Sequence, residues 1–297
     1  MSDTTSAAGE LELTAAHDRQ LAEFLQTLER ELAAGKVVLP SWSKVTERAR
    51  TALAAPEFAI DELAGLLGAE AGLAVRVLTL ANSAMFMRGG RPLSDLKLAI
   101  LRVGHDMLRS AVYAHALLQL RQAPKLQRLK HTLQQLWRES TQVAALARLL
   151  TTRTGKGDPD AALLAGLLHN IGKLYLYVRL DTGADAAGSL PASITSLTAW
   201  HARIGSAIAR NWQMPEAICQ AIADQDLLDS SGSQDDLAAA LSAAVIGTSA
   251  AFNPAQLAGT AAHLAEFTRF GLDAAAWLEL MERAQAESTA LRVTFGD

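Results

Sequence analysis

The chain has 297 residues, half of them apolar and a fifth charged, and its 27 Lys and Arg against 31 Asp and Glu leave a net charge of −4. That length can hold one large or two small cores, and the mildly acidic balance, with a pI of 6.0, offers nucleic acid or a membrane surface no global attraction. The single cysteine, Cys219, excludes an intrachain disulfide framework and suits a reducing compartment.

Residues 1–15, MSDTTSAAGELELT and the residue after it, are polar and acidic and read as a disordered leader. They lack the basic and apolar regions of a signal peptide, so the expected location is cytoplasmic. From His17 to Ala34, Leu21, Leu25, Leu28 and Leu32 recur at helical spacing until Gly35. Beyond Pro40, Trp42, Val45, Ala49 and Leu53 share a helical face that Pro56 ends. Asp61 opens a helix through Leu63, Leu66 and Leu67, and Leu73 to Leu80 forms a strongly apolar helix running into Asn82 and Ser83. After the loop signals Gly89, Gly90 and Pro92, helical spacing resumes at Leu93, Leu96, Ile100 and Val103. Gly104 reads as a turn or packing glycine.

A boundary falls near Ala123-Pro124, within the basic run Arg121, Lys125, Arg128 and Lys130. Short charge runs are mostly solvated linkers, and a nucleotide or other anion patch is the rarer alternative. A helix from Leu133 to Leu150 follows, then the loop TTRTGKGDP. Ala161 to Val178 reads as one buried helix capped by Asp160, with His169, Asn170 and Lys173 set into its apolar run. The segment GADAAGSLPAS is a loop. Helices follow from Trp200 to Trp212 and from Pro215 to Leu227, then a polar gap DSSGSQDD and two or three C-terminal helices. The window Leu237 to Phe252 is the most apolar of the chain, and it falls short of a membrane span. No stretch alternates with period two, so the fold class is all-α.

Several spaced motifs give the chain from about Val37 to Ala223, roughly two-thirds of it, a family likeness. Leu39-Pro40, Glu62-Leu63-Ala64, Leu73 with Val77-Leu78, Leu80-Ala81-Asn82-Ser83-Ala84, Leu98-Ala99-Ile100 and Val103-Gly104 together resemble the HDOD family, a bacterial branch related to the HD superfamily. Glu70-Ala71 departs from the Asp-Pro common there. The string LLHNIGKL resembles the metal-binding helix of the HD superfamily, with Asn170 in place of its Asp. The resemblance implies a two-lobed helical bundle: an N-terminal lobe over residues 16–122 and an HD-like lobe over residues 123–297. It also implies a regulatory role in bacterial signal transduction.

An HD-type phosphohydrolase needs an early His, the His-Asp pair and a late Asp converging on a divalent ion, which activates water and polarises phosphorus. Here Glu139 stands at the early His, in line with Leu136, Val143, Leu146 and Leu150. His169 is retained. Asn170 offers a neutral amide oxygen, a much weaker ligand than a carboxylate. His201 is retained on an inward face with Gly205, Ile208 and Trp212. After Ile222 the chain carries Asp224-Gln225 where two-metal members have histidines, and no acidic residue lies within the helix starting at Leu237. The expectation is a vestigial site of His169, Asn170, His201 and Glu139, with no catalytic residue, no metal and no cofactor. The competing reading is a divergent phosphohydrolase or cyclic-dinucleotide phosphodiesterase that uses His169, His201 and Glu139, and it requires those three side chains to converge.

Asn82 and Ser83 sit where a helix ends, and their residue types favour a cap; a ligand or partner contact is the alternative. Lys173 can meet a phosphate or simply snorkel beside Tyr175. His105, His115, His131 and His263 have no partner spacing and read as solvent-facing or structural. Cys219 reads as a small core residue. The expected partners are a signalling protein, with a small molecule or nucleotide as an alternative ligand, and neither nucleic acid nor a membrane.

Overall fold

A computed structural model describes residues 23–37, 43–54, 59–87, 90–181, 200–226, 235–249 and 269–295. The leader, Pro40, Trp42, Pro56, His263, the loop GADAAGSLPAS and most of the polar gap lie outside the described residues, as does the end of the Leu237–Phe252 window.

The described residues are helical, without a strand. Helix α1 covers residues 23–33. The next helices are α2 (Lys44–Ala52), α3 (Ile60–Gly68), α4 (Ala71–Ala81), the short α5 (Ala84–Met87), α6 (Leu96–Val103) and α7 (His105–Arg121). A 3-10 segment, Pro124–Leu129, leads into α8 (Lys130–Thr154), followed by α9 (Pro159–Leu168) and α10 (Ile171–Asp181). The chain closes with α11 (His201–Asn211), α12 (Glu216–Asp224), α13 (Asp236–Gly247) and α14 (Ala274–Phe295).

Local chemistry sets many of these ends. The hydroxyl of Ser43 accepts from the Thr46 N–H and starts α2, and Asp95 does the same for Leu98 at α6, each satisfying an orphan donor. Gly104 joins α6 to α7 at φ +81°, with nothing within 4 Å of where a Cβ would stand. It is therefore a turn glycine and makes no close packing contact.

Helix α7 packs on α2, α4, α6, α8 and α9, and α8 packs on α9, α13 and α14. Helix α14 also reaches α4 and α7, so the last helix packs against elements from the first half of the chain. Along α8, Val143, Leu146 and Leu150 are at most 2% exposed, and each such side chain contributes about 1.5–3 kcal/mol by leaving water. Gly166 lets α9 approach α8, because a Cβ there would lie 2.4 Å from the Ala144 Cα.

Two expectations change at the buried stretch. The helix begins at Pro159, with Asp158 as its cap; the Asp158 side chain accepts from the Asp160 N–H, and Asp160 lies inside the first turn. The run also divides into α9 and α10 at His169–Asn170. Among the described residues, 159–179 is the one run long and apolar enough to cross a membrane, and 83% of its most apolar window is buried inside the protein. It is a core element surrounded by other helices.

Candidate functional site: a degenerate HD-like position

The break between α9 and α10 places His169 and Asn170 in the interior, each 3% exposed. His169 Nδ1 donates to the Gly166 carbonyl at 2.7 Å. A carbonyl only accepts, so the proton is on Nδ1 and Nε2 keeps its lone pair. This is the orientation a metal-bound imidazole adopts. Burial, together with the positive charge of Lys173 and the neighbouring His201, drives the His169 pKa down to about 3.

Asn170 is the pivot. Its Nδ2 donates to Glu139 Oε2 across 3.5 Å, while Glu139 Oε1 accepts from Gln135 at 3.1 Å. Asn170 Oδ1 is buried and has no hydrogen-bond partner among the described residues. The recess it lines with Arg121, Trp137 and Ser140 holds about 30 Å³. That admits a water molecule or two and no substrate.

His201 opens α11 and is 3% exposed. Burial, with Lys173 adding to it, lowers its pKa to about 4. Its Nδ1 stands 3.3 Å from Asp226 Oδ2 yet makes no hydrogen bond among the described residues, so a neutral ring faces a half-exposed carboxylate. Asp226 is raised by burial, which the charge of Lys173 opposes. Lys173 thus acts on both histidines and this carboxylate, and no phosphate is needed to account for its place. Gln225 sends its amide back to the His169 carbonyl at 3.0 Å. It occupies its position as a backbone clamp.

The face of α11 points inward as expected, with Ile208 fully buried and Trp212 at 8% exposure. His169, His201 and Glu139 do not converge: among the described residues no three His, Cys, Asp or Glu side chains lie together as a metal-holding group. Helix α13, where a late Asp would fall, carries an acidic residue only in its first turn, and its Ser242 hydroxyl donates to the Asp224 carbonyl. The donors present do not fit a divalent ion: the Glu139 carboxylate lies beside a neutral amide and the Asp226 carboxylate beside His201, and among the described residues they do not join the imidazoles in one ligand group.

The other singled-out residues have structural partners. Asn82 clamps Leu93 at both ends of its amide, accepting from the Leu93 N–H at 2.7 Å and donating to its carbonyl at 2.8 Å. The Ser83 hydroxyl donates to the Leu80 carbonyl at 2.7 Å. Both also edge an open groove between α4 and α14. Cys219 is buried, and burial pushes its thiol up to about 11. Arg121 covers the Trp137 ring at 5.5 Å, while Lys125, Arg128 and Lys130 are exposed.

A polar network escaped sequence reasoning. His115, at 5% exposure, donates from Nε2 to Glu70 Oε1 at 2.6 Å and accepts at Nδ1 from Arg76 Nε at 3.0 Å. Gln119 donates to the same Glu70 oxygen, and Ser43 donates to the other at 2.8 Å. Burial works to raise the Glu70 carboxyl, but the bonds from His115, Ser43 and Thr46 outweigh it and hold it below the usual range. Two signals pointed here: Glu70 in place of the usual Asp, and His115 with Gln119 one helical turn apart.

Comparison with known proteins follows the same lines. The chain aligns with an uncharacterised protein of Treponema pallidum at 29% identity, over 61% of this chain and 36% of that protein's length, so it spans about a third of that relative. A crystal structure from Shewanella amazonensis, provisionally named a metal-dependent phosphohydrolase, superposes with a TM-score of 0.69 at 22% identity, covering 90% of this chain and 99% of its own. An HDOD domain protein of unknown function from Geobacter sulfurreducens gives a TM-score of 0.61 at 23% identity, covering 92% of this chain and 99% of its own. At these identities the two structures establish the fold. The HDOD domain profile matches residues 39–227, and the chain belongs to the HDOD family.

Proposed function

We propose that the chain is a non-catalytic HDOD signalling module, in which the HD-like position is a scaffold and no longer a metal centre. It acts in the bacterial cytoplasm through contact with a protein partner or a small ligand, and it engages neither nucleic acid nor a membrane. The observation that carries this reading is Asn170: a neutral amide stands where the reaction requires a charged ligand, its oxygen without a partner among the described residues and the recess it lines only about 30 Å³. A phosphohydrolase needs an ion to lower the pKa of bound water and polarise the phosphorus centre. Glu139, His169 and His201 do not form the group that would hold one.

Metal analysis of the purified chain, with a phosphodiesterase screen over added manganese, iron and zinc, tests the reading. The expected result is substoichiometric metal and no turnover above that of a His169→Ala variant. Turnover that His169→Ala abolishes would overturn it and restore the phosphohydrolase reading.

A further inference from the structure

A cavity of about 350 Å³ lies between α7 and the N-terminal ends of α9, α12 and α13, away from His169. Its volume is within the range of small-molecule sites, about 300–1,000 Å³. Arg109 lines it and is only 9% exposed. A guanidinium has five N–H donors. Here Nη2 donates to the Met214 sulfur at 3.5 Å, and Nη1 stands 3.7 Å from Asp106 Oδ1. Among the described residues no oxygen accepts a hydrogen bond from this side chain. Beyond the ion pair with Asp106 and the thioether contact the fork keeps N–H donors for a group entering the cavity, and a guanidinium fork is shaped for a carboxylate.

The same cavity is lined by Asp158, Asp160 and Asp235. Asp158 spends one oxygen capping α9, whereas the Asp235 side chain makes no cap bond at α13. Burial raises the Asp160 carboxyl; Arg148, 4.0 Å away, opposes this, and the charges of Asp158 and Asp106 add to it. With Asp106, the lining holds four carboxylates and Arg109, and Arg148 offsets one of the four through Asp160, so the balance is negative and repels phosphates while attracting ammonium groups. The ligand must therefore carry one carboxylate for Arg109 and positive charge for the aspartates.

We infer that this cavity binds a free amino acid with a basic side chain, its carboxylate on Arg109 and its ammonium groups against Asp158, Asp160 and Asp235. This goes beyond the signalling reading above and stands whether or not that reading holds. The N-terminus of α12, beside Pro215 and Ala217 in the cavity wall, adds partial positive charge on the carboxylate side.

Isothermal titration of the full chain with lysine and arginine tests it, with putrescine and glutamate as one-sided controls. Lysine or arginine should bind saturably and at least tenfold more tightly than either control. Arg109→Gln should weaken that binding at least tenfold. Because Arg109 is buried, Ala217→Trp at an exposed position gives a separate arm, filling the cavity while leaving the charges and the thermal melt in place. Absence of binding by both amino acids, putrescine matching them, or binding that survives Ala217→Trp each overturns the assignment.

Discussion

Gly172 meets the first turn of α11 so closely that a Cβ on it would lie 1.9 Å from the carbonyl oxygen of His201 and 2.9 Å from the Gly205 nitrogen. Both obstacles are backbone, so no rotamer change relieves them. Gly172→Ala should therefore force α10 from α11 and cost about 3 kcal/mol or more. Gly65, inside α3 with nothing within 4 Å of its Cβ position, is the control; Gly65→Ala should stabilise by up to about 1 kcal/mol. Urea midpoints of the two variants check this, and a Gly172→Ala midpoint close to that of the parent would refute the contact.

His169 and His201 make stability depend on pH in a definite direction. Their folded pKa values, about 3 and about 4, lie below the ordinary 6.5. Below pH 6.5 the unfolded chain takes up protons that the folded chain refuses, so acidification favours unfolding. Stability should fall as pH drops from about 6.5 to about 4, by up to about 1.4 kcal/mol per pH unit for each histidine. Carboxyls raised by burial, Asp160 and Asp226 among them, bind protons more readily in the folded chain and act in the opposite sense, so a histidine variant is needed to isolate the imidazole share. Denaturant titrations across that window should show a slope that His201→Gln roughly halves; an unchanged slope would place the titration elsewhere.

Asn170→Asp separates a lost ligand from a lost site. The new carboxylate would stand where Asn170 Nδ2 now donates to Glu139 Oε2, in a position 3% exposed. Two facing carboxylates in that interior should cost about 3 kcal/mol at pH 7.5 without metal. The deficit against the parent should shrink at pH 5 as the pair shares a proton. A variant equal to the parent at both pH values would mean that Glu139 does not face residue 170.

Cys219 should be inert in the folded protein. Its thiol is buried and pushed up to about 11, so little thiolate exists at pH 8. Reaction with a thiol reagent should be about 100-fold slower in the native state than in urea. Equal rates in the two states would show that α12 opens readily.

Periodicity placed α2, α3, α4, α6 and α8 and turned His201 inward, and the likeness to the HD superfamily helix marked Asn170 as the missing charge. Each of these is a property of residue identity or of near neighbours, which helical spacing expresses directly. The split at His169–Asn170 lies between two close approaches, Gly166 against Ala144 and Gly172 against His201, contacts that join separate helices. The pairing of Glu70 with His115 spans 45 positions, and the cavity around Arg109 is assembled from α7, α9, α12 and α13. The amino-acid sequence determined which residues are helical, apolar or charged. Only the tertiary structure decided which of them meet, because proximity across a core follows from helix packing and no local spacing encodes it.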